Sequence, residues 1–128
     1  MTLRIVRLGT ARGRGEGLRI GTVRRPPRGV PRSQYQAENW YDAWLPELAP
    51  SAGAVKLAQA ARTERQWRTF VKRYRAEMAV PGRARLLTLL AALSRHTNFS
   101  IGCYCVDESR CHRSVLRALL REQGALIV

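Results

Sequence analysis

The feature that most constrains the fold is the run Phe99 to Cys105, F-S-I-G-C-Y-C, together with the helix-forming segment beyond it. The run is nearly apolar on both faces, the pattern of a central strand in a sheet covered on both sides. A short acidic loop comes next, then Cys111-His112-Arg113 opens an amphipathic segment with Val115, Leu116, Leu119 and Leu120 on one side. That periodicity predicts a helix from about His112 to Gln123. Gly124 suits its C-terminal cap, and Ala125 to Val128 reads as a returning strand. Strand, helix and strand make a βαβ unit, whose crossover is right-handed in nearly every known case.

The rest of the chain fits the same class. Leu3–Leu8 and Leu18–Val23 read as short strands. Ser51 can cap a helix over about Ala52–Ala61. Thr63-Glu64-Arg65-Gln66 is a capping-box pattern, and Trp67, Phe70, Val71, Tyr74 and Met78 then recur at helical spacing. Pro81-Gly82 breaks this helix, and another runs from about Arg83 to Ser94 with a broad leucine face from Leu86 to Leu93 expected to be buried. Arg24 to Arg32 carries three prolines and cannot be regular structure. Asn39 to Pro46 reads as an aromatic connector. The expectation is one α/β domain over residues 1–128: three layers, a short, mostly parallel sheet, four helices, and an Arg/Gly/Pro-rich loop region at about 9–38.

Composition narrows the function classes. No apolar run approaches the ~20 residues that span a bilayer, and the N-terminus is too charged for a secretory signal. Three cysteines are too few for an extracellular disulfide framework. A cytoplasmic protein of bacterial type is expected, without a membrane partner or a cofactor. The net charge of +14 points to phosphate-bearing or other anionic ligands, or to nucleic acid. Nine arginines and one acid, Glu16, lie in the first 33 residues. Only Lys56 and Lys72 are lysines, however, and arginine dominance of this kind also arises from GC-rich coding.

All three cysteines and one of the two histidines lie between Cys103 and His112. In open α/β sheets ligands bind beyond the carboxyl ends of the strands, where the next helix offers free backbone N–H groups and partial positive charge. Cys105 is expected at the strand's end and Cys111 at the helix start, with Arg110, Arg113 and Ser114 beside it. A thiol there is biased toward thiolate, unless Asp107 and Glu108 point inward.

Several chemistries compete. A phosphatase loop needs arginine six residues beyond its cysteine, but that position from Cys105 is Cys111. A Cys105–Cys111 redox pair is geometrically open, although the spacing is not C-x-x-C. Cys105, Cys111 and His112, completed by Glu108 or Asp107, could ligate a metal, but adjacent helical residues diverge by ~100°. The bland reading makes Cys103 and Cys105 small core residues, seats Cys111 and His112 in the helix–sheet junction, and pairs Arg113 with a loop carboxylate such as Asp107.

These residues bring a family into view. The chain resembles the proteins grouped as domain of unknown function 488, marked by a cysteine at a strand end, an acidic residue and a C-H-R turn. Here those are Cys105, Glu108 (or Asp107) and Cys111-His112-Arg113. Trp44 to Ser51 resembles the family's W-x-x-E-L-A-P-S segment, and Trp67, Phe70, Tyr74 and Glu77 its W-x-x-F-x-x-x-Y-x-x-E helix. The likeness runs from about Leu18 to Leu120. It departs at Val23 to Gly29, where relatives often carry an aspartate and a tryptophan and this chain keeps basic Arg24 and Arg28. The resemblance implies a small α/β domain and no particular activity.

Two functional readings remain open. In the first, an anion-binding, thiol-dependent site forms at the Cys-His-Arg turn, open to solvent at the sheet rim. Cys111 is the reactive thiol, His112 an acid–base group and Arg113 an anion clamp, with Cys105, Glu108, Ser114, Arg24 and Arg28 around the ligand. In the second, Arg12 to Arg32 track the phosphates of a nucleic acid without sequence specificity, and the turn is structural.

Overall fold

The computed structural model describes all residues, Met1 to Val128. Four strands, β1 (Leu3–Arg7), β2 (Leu18–Gly21), β3 (Ala43–Trp44) and β4 (Phe99–Cys103), form one sheet in the order β1-β4-β2-β3, and every pairing is parallel. The helices are α1 (Ala52–Ala60), α2 (Glu64–Met78), α3 (Pro81–Leu93) and α4 (His112–Glu122). The molecule is a small α/β domain. β4 is central, hydrogen-bonded to β1 on one side and β2 on the other, and is buried along its whole length. No helix is long and apolar enough to cross a membrane.

The helices share one apolar core with one face of the sheet. Phe70, Tyr74 and Met78 of α2, Leu87 and Leu90 of α3, and Leu116 and Leu120 of α4 meet Leu3, Ile20, Phe99 and Ile101. The capping box at Thr63 and Gln66 forms with both of its reciprocal hydrogen bonds. Ser51 caps α1 through the Ala54 N–H.

Loops, not helices, supply the third layer. Alternation along β2 and β4 turns Arg19 and Ser100 to the opposite face, under the segment from Gly9 to Gly17. Arg19 is fully buried there. It gives Nε and Nη2 to Glu16 at 2.8 and 3.0 Å and Nη1 to the Thr10 and Asn39 carbonyls, both at 2.8 Å. The Ser100 hydroxyl donates to the same carboxylate at 2.6 Å. Burial pushes the Glu16 carboxyl up, but hydrogen bonds from Arg19, Ser100 and the Gly13 N–H outweigh it and lower it to about 2. Further along this face a Cβ on Gly21 would overlap the Tyr41 ring and one on Gly102 would meet Leu8 and Val6. Gly21 lets Tyr41 lie directly on the backbone, and Gly102 does the same for Leu8 and Val6.

Four local expectations change. β3 emerges from the connector because Ala43 and Trp44 pair with Ile20 and Gly21. α3 starts at Pro81, since proline's fixed φ and missing N–H suit the first helical position. Leu89 is 53% exposed, so the leucine face is narrower than its sequence suggests. The C-terminal return makes only a parallel bridge from Ile127 to Leu3.

Candidate functional site

All strands run the same way, so their carboxyl ends share one rim, and the Cys-His-Arg turn lies on it. β4 stops at Cys103, two residues before the expected end, leaving Cys105 exposed in the loop. A short turn at Glu108–Arg110, capped by the Asp107 side chain on the Ser109 N–H, carries the chain to Cys111, which precedes α4 at the N-cap position without a side-chain capping bond. Sequence parity places Cys103 on the same side of β4 as Phe99 and Ile101, which puts its sulfur beside the start of α4. Cys103 Sγ, Cys111 Sγ and a ring nitrogen of His112 therefore lie within 4.8 Å of one another. Cys105 Sγ is 3.7 Å from Cys103 Sγ.

The imidazole is oriented by β2 and α2. His112 Nε2 donates to the Thr22 carbonyl at 2.8 Å, which fixes the proton on that nitrogen because a carbonyl only accepts. Nδ1 then faces Cys111 Sγ at 3.7 Å. Tyr74 packs edge-on against the ring with centroids 5.7 Å apart, while its hydroxyl donates to the Leu48 carbonyl at 2.6 Å. Burial, followed by the charge of Cys111, pushes the Tyr74 phenol far up, so it remains neutral.

The three sulfurs differ electrostatically. Hydrogen bonding with the Cys103 and Cys105 thiols, and then the contact with His112, draws the Cys111 thiol well down despite its burial. Cys103 moves up because it donates within the same network, and Cys105 is also raised. Of the three sulfurs, Cys111 is thus the one biased toward thiolate. The same three donor atoms of Cys103, Cys111 and His112 are close enough to face one thiophilic metal ion.

The turn is more enclosed than expected of a corner open to solvent. Cys111, His112 and Arg113 are only 2, 6 and 3% exposed. Access is through a cleft of about 460 Å³ whose floor includes Cys103, Cys105, Cys111 and His112 and whose walls include Arg24, Arg25 and Arg110. No acidic residue lines it. Arg24 and Arg25 are exposed and form no ion pair, whereas Arg110 is paired with Glu64 and lies 5.3 Å over the Trp67 ring.

The remaining predicted residues divide. Arg113 gives Nη2 to the Cys105 carbonyl at 2.6 Å, so this guanidinium braces the loop. Its buried Nε has no partner. Glu108 holds Arg117 through two hydrogen bonds of 2.7 and 2.9 Å, and neither it nor Asp107 lines the cleft. The Ser114 hydroxyl donates to the Cys111 carbonyl at 2.9 Å. Arg28 lies in an adjoining groove, not in the thiol cleft. Cys103 and Thr22 join the cluster although neither is among the residues predicted for it. The C-x-C spacing is a signal for Cys103, but nothing local marks Thr22.

A parallel sheet with a buried thiol–imidazole cluster at the carboxyl end of its central strand defines a small α/β protein. A family model described as the active DUF488-N3 subclade matches residues 3–124, and the chain belongs to the DUF488 family. That match extends the resemblance seen in the motifs back to include β1. No curated protein and no solved structure matches the chain significantly.

Proposed function

We propose that the cleft binds a small anionic ligand and presents the Cys111 thiolate to it. Arg24 and Arg25, free of carboxylate partners, attract and orient the anion. His112 Nδ1 receives the Cys111 proton, and its Nε2–H bond to Thr22 holds the ring for that exchange. Cys103 and Cys105 donate to the thiolate, and Arg113 acts on the loop that carries Cys105. The observation that carries this reading is the pairing of a charge-stabilised sulfur with a cleft lined by arginine and no acid. The description of the matched subclade as active agrees with a working site.

Two alkylating agents of similar size, anionic iodoacetate and neutral iodoacetamide, test it. Relative to free cysteine, Cys111 should favour iodoacetate, and inorganic phosphate should protect it. Replacing Arg24 and Arg25 together with alanine should remove that preference. Equal relative rates with both agents in the parent protein would refute an anion-selecting cleft.

A further inference from the structure

A second concavity of about 690 Å³ adjoins the thiol cleft on the same rim. Its walls include Arg7, Arg28, Trp40, Arg25 and Tyr104; the last two, joined by the Tyr104 hydroxyl donating to the Arg25 carbonyl at 2.8 Å, also line the thiol cleft, so the two spaces share a wall. No acidic residue lines either. Arg25 and Arg28 form no ion pair, and Arg7 commits only Nε, to the Tyr104 carbonyl at 3.2 Å. Pro26 restricts Arg25 to extended backbone, which limits the positions its guanidinium can take. Trp40 and Tyr104 meet edge to face with centroids 5.9 Å apart. The buried Trp40 indole N–H has no acceptor.

Three guanidinium groups beside two aromatic rings match a phosphate joined to a flat ring system. Arginine grips phosphate through its planar fork, and aromatic side chains pack on nucleobases without needing a sequence. The space is of small-ligand size. A single-stranded nucleic acid would need a longer basic track. That track is interrupted, because Arg12 is held by Asp42 at 2.8 and 2.9 Å and Arg19 is buried against Glu16. Building on the thiol-dependent reading above, we infer that this groove, which shares the Arg25–Tyr104 wall with the Cys111 cleft, holds the phosphate and base of a mononucleotide.

Calorimetric titration with AMP, adenosine, ribose 5-phosphate and a ten-nucleotide single strand tests the inference on the intact chain. AMP should bind, and losing either the phosphate or the base should weaken binding at least about tenfold. The exposed Arg28→Ala variant should lose about as much AMP affinity, with the Cys111 alkylation profile unchanged. AMP binding no tighter than its fragments, insensitivity to Arg28→Ala, or binding of the oligonucleotide without AMP would each overturn it. If AMP fails to bind while Cys111 stays reactive at low pH, the groove assignment falls and the thiol reading stands. If AMP binds but Cys111 behaves as an ordinary thiol, the thiol reading falls and the groove remains.

Discussion

The Arg19–Glu16–Ser100 cluster and the Cys103–Cys111–His112 cluster are both buried polar groups at the same sheet, yet they are built to opposite ends. In the first, the guanidinium donates to a carboxylate and two carbonyls, and the carboxylate is bonded by a side-chain hydroxyl and a backbone N–H as well. A network this complete rigidifies its surroundings and offers a ligand nothing. In the second, a thiol biased toward thiolate sits among other thiols at the floor of a cleft, and the neighbouring Arg113 Nε is unpaired. Burial alone does not mark a site. Incomplete internal satisfaction beside an opening does.

The largest effect that would sharpen this contrast is Glu16→Ala, which strands the Arg19 charge inside the loop-covered layer. We expect a loss of about 3–5 kcal/mol by urea unfolding. The same carboxyl sets an acid limit. Its folded value, about 2, lies below the ordinary 4.5, so its contribution is complete above 4.5 and disappears as pH falls toward 2. A Glu16→Gln variant should flatten that part of the stability–pH curve. Cys111→Ser should cost far less stability and should abolish the low-pH thiol reactivity of the folded protein, read by mass spectrometry of each cysteine.

Arg113→Ala should cost about 1.5–3 kcal/mol, since it removes a charge-assisted hydrogen bond to the Cys105 carbonyl and leaves that acceptor unpaired. Arg113→Lys should recover part of this. If Arg113 were instead the ligand's anion clamp, phosphate protection of Cys111 would fall without a change in stability. Tyr74→Phe should have the smallest effect, about 1 kcal/mol, for its single bond to Leu48.

The physical basis of these two clusters also explains what can be read in the sequence. Residues with local signatures announce themselves: the capping box at Thr63, the apolar run from Phe99 and the amphipathic helix after Cys111 all depend on neighbours in the chain. β3 does not, because two residues carry no periodicity and its existence depends on pairing with Ile20 and Gly21. Pro81 looks like a break because the same ring that ends one helix can begin the next. The turn at Cys111 is recognisable, but its composition is not: Cys103 resembles core until β4 is seen to end there, and Thr22 reaches His112 across 90 residues of sequence. Nor can Arg19 and Arg113 be told apart by residue type. Their partners, Glu16 in one case and the Cys105 carbonyl in the other, separate a closed scaffold from the edge of a site.

The most direct test is the rate of Cys111 alkylation in the folded protein as a function of pH. An unperturbed thiol with a pKa of ~8.5 is less than about 1% ionised at pH 6 and slows about tenfold for each unit below. Cys111 should show a plateau through that range, while Cys103 and Cys105 react only at higher pH. A Cys111 profile that tracks the ordinary thiol curve, or labelling that appears only on unfolding, would contradict a thiolate held ready at the rim.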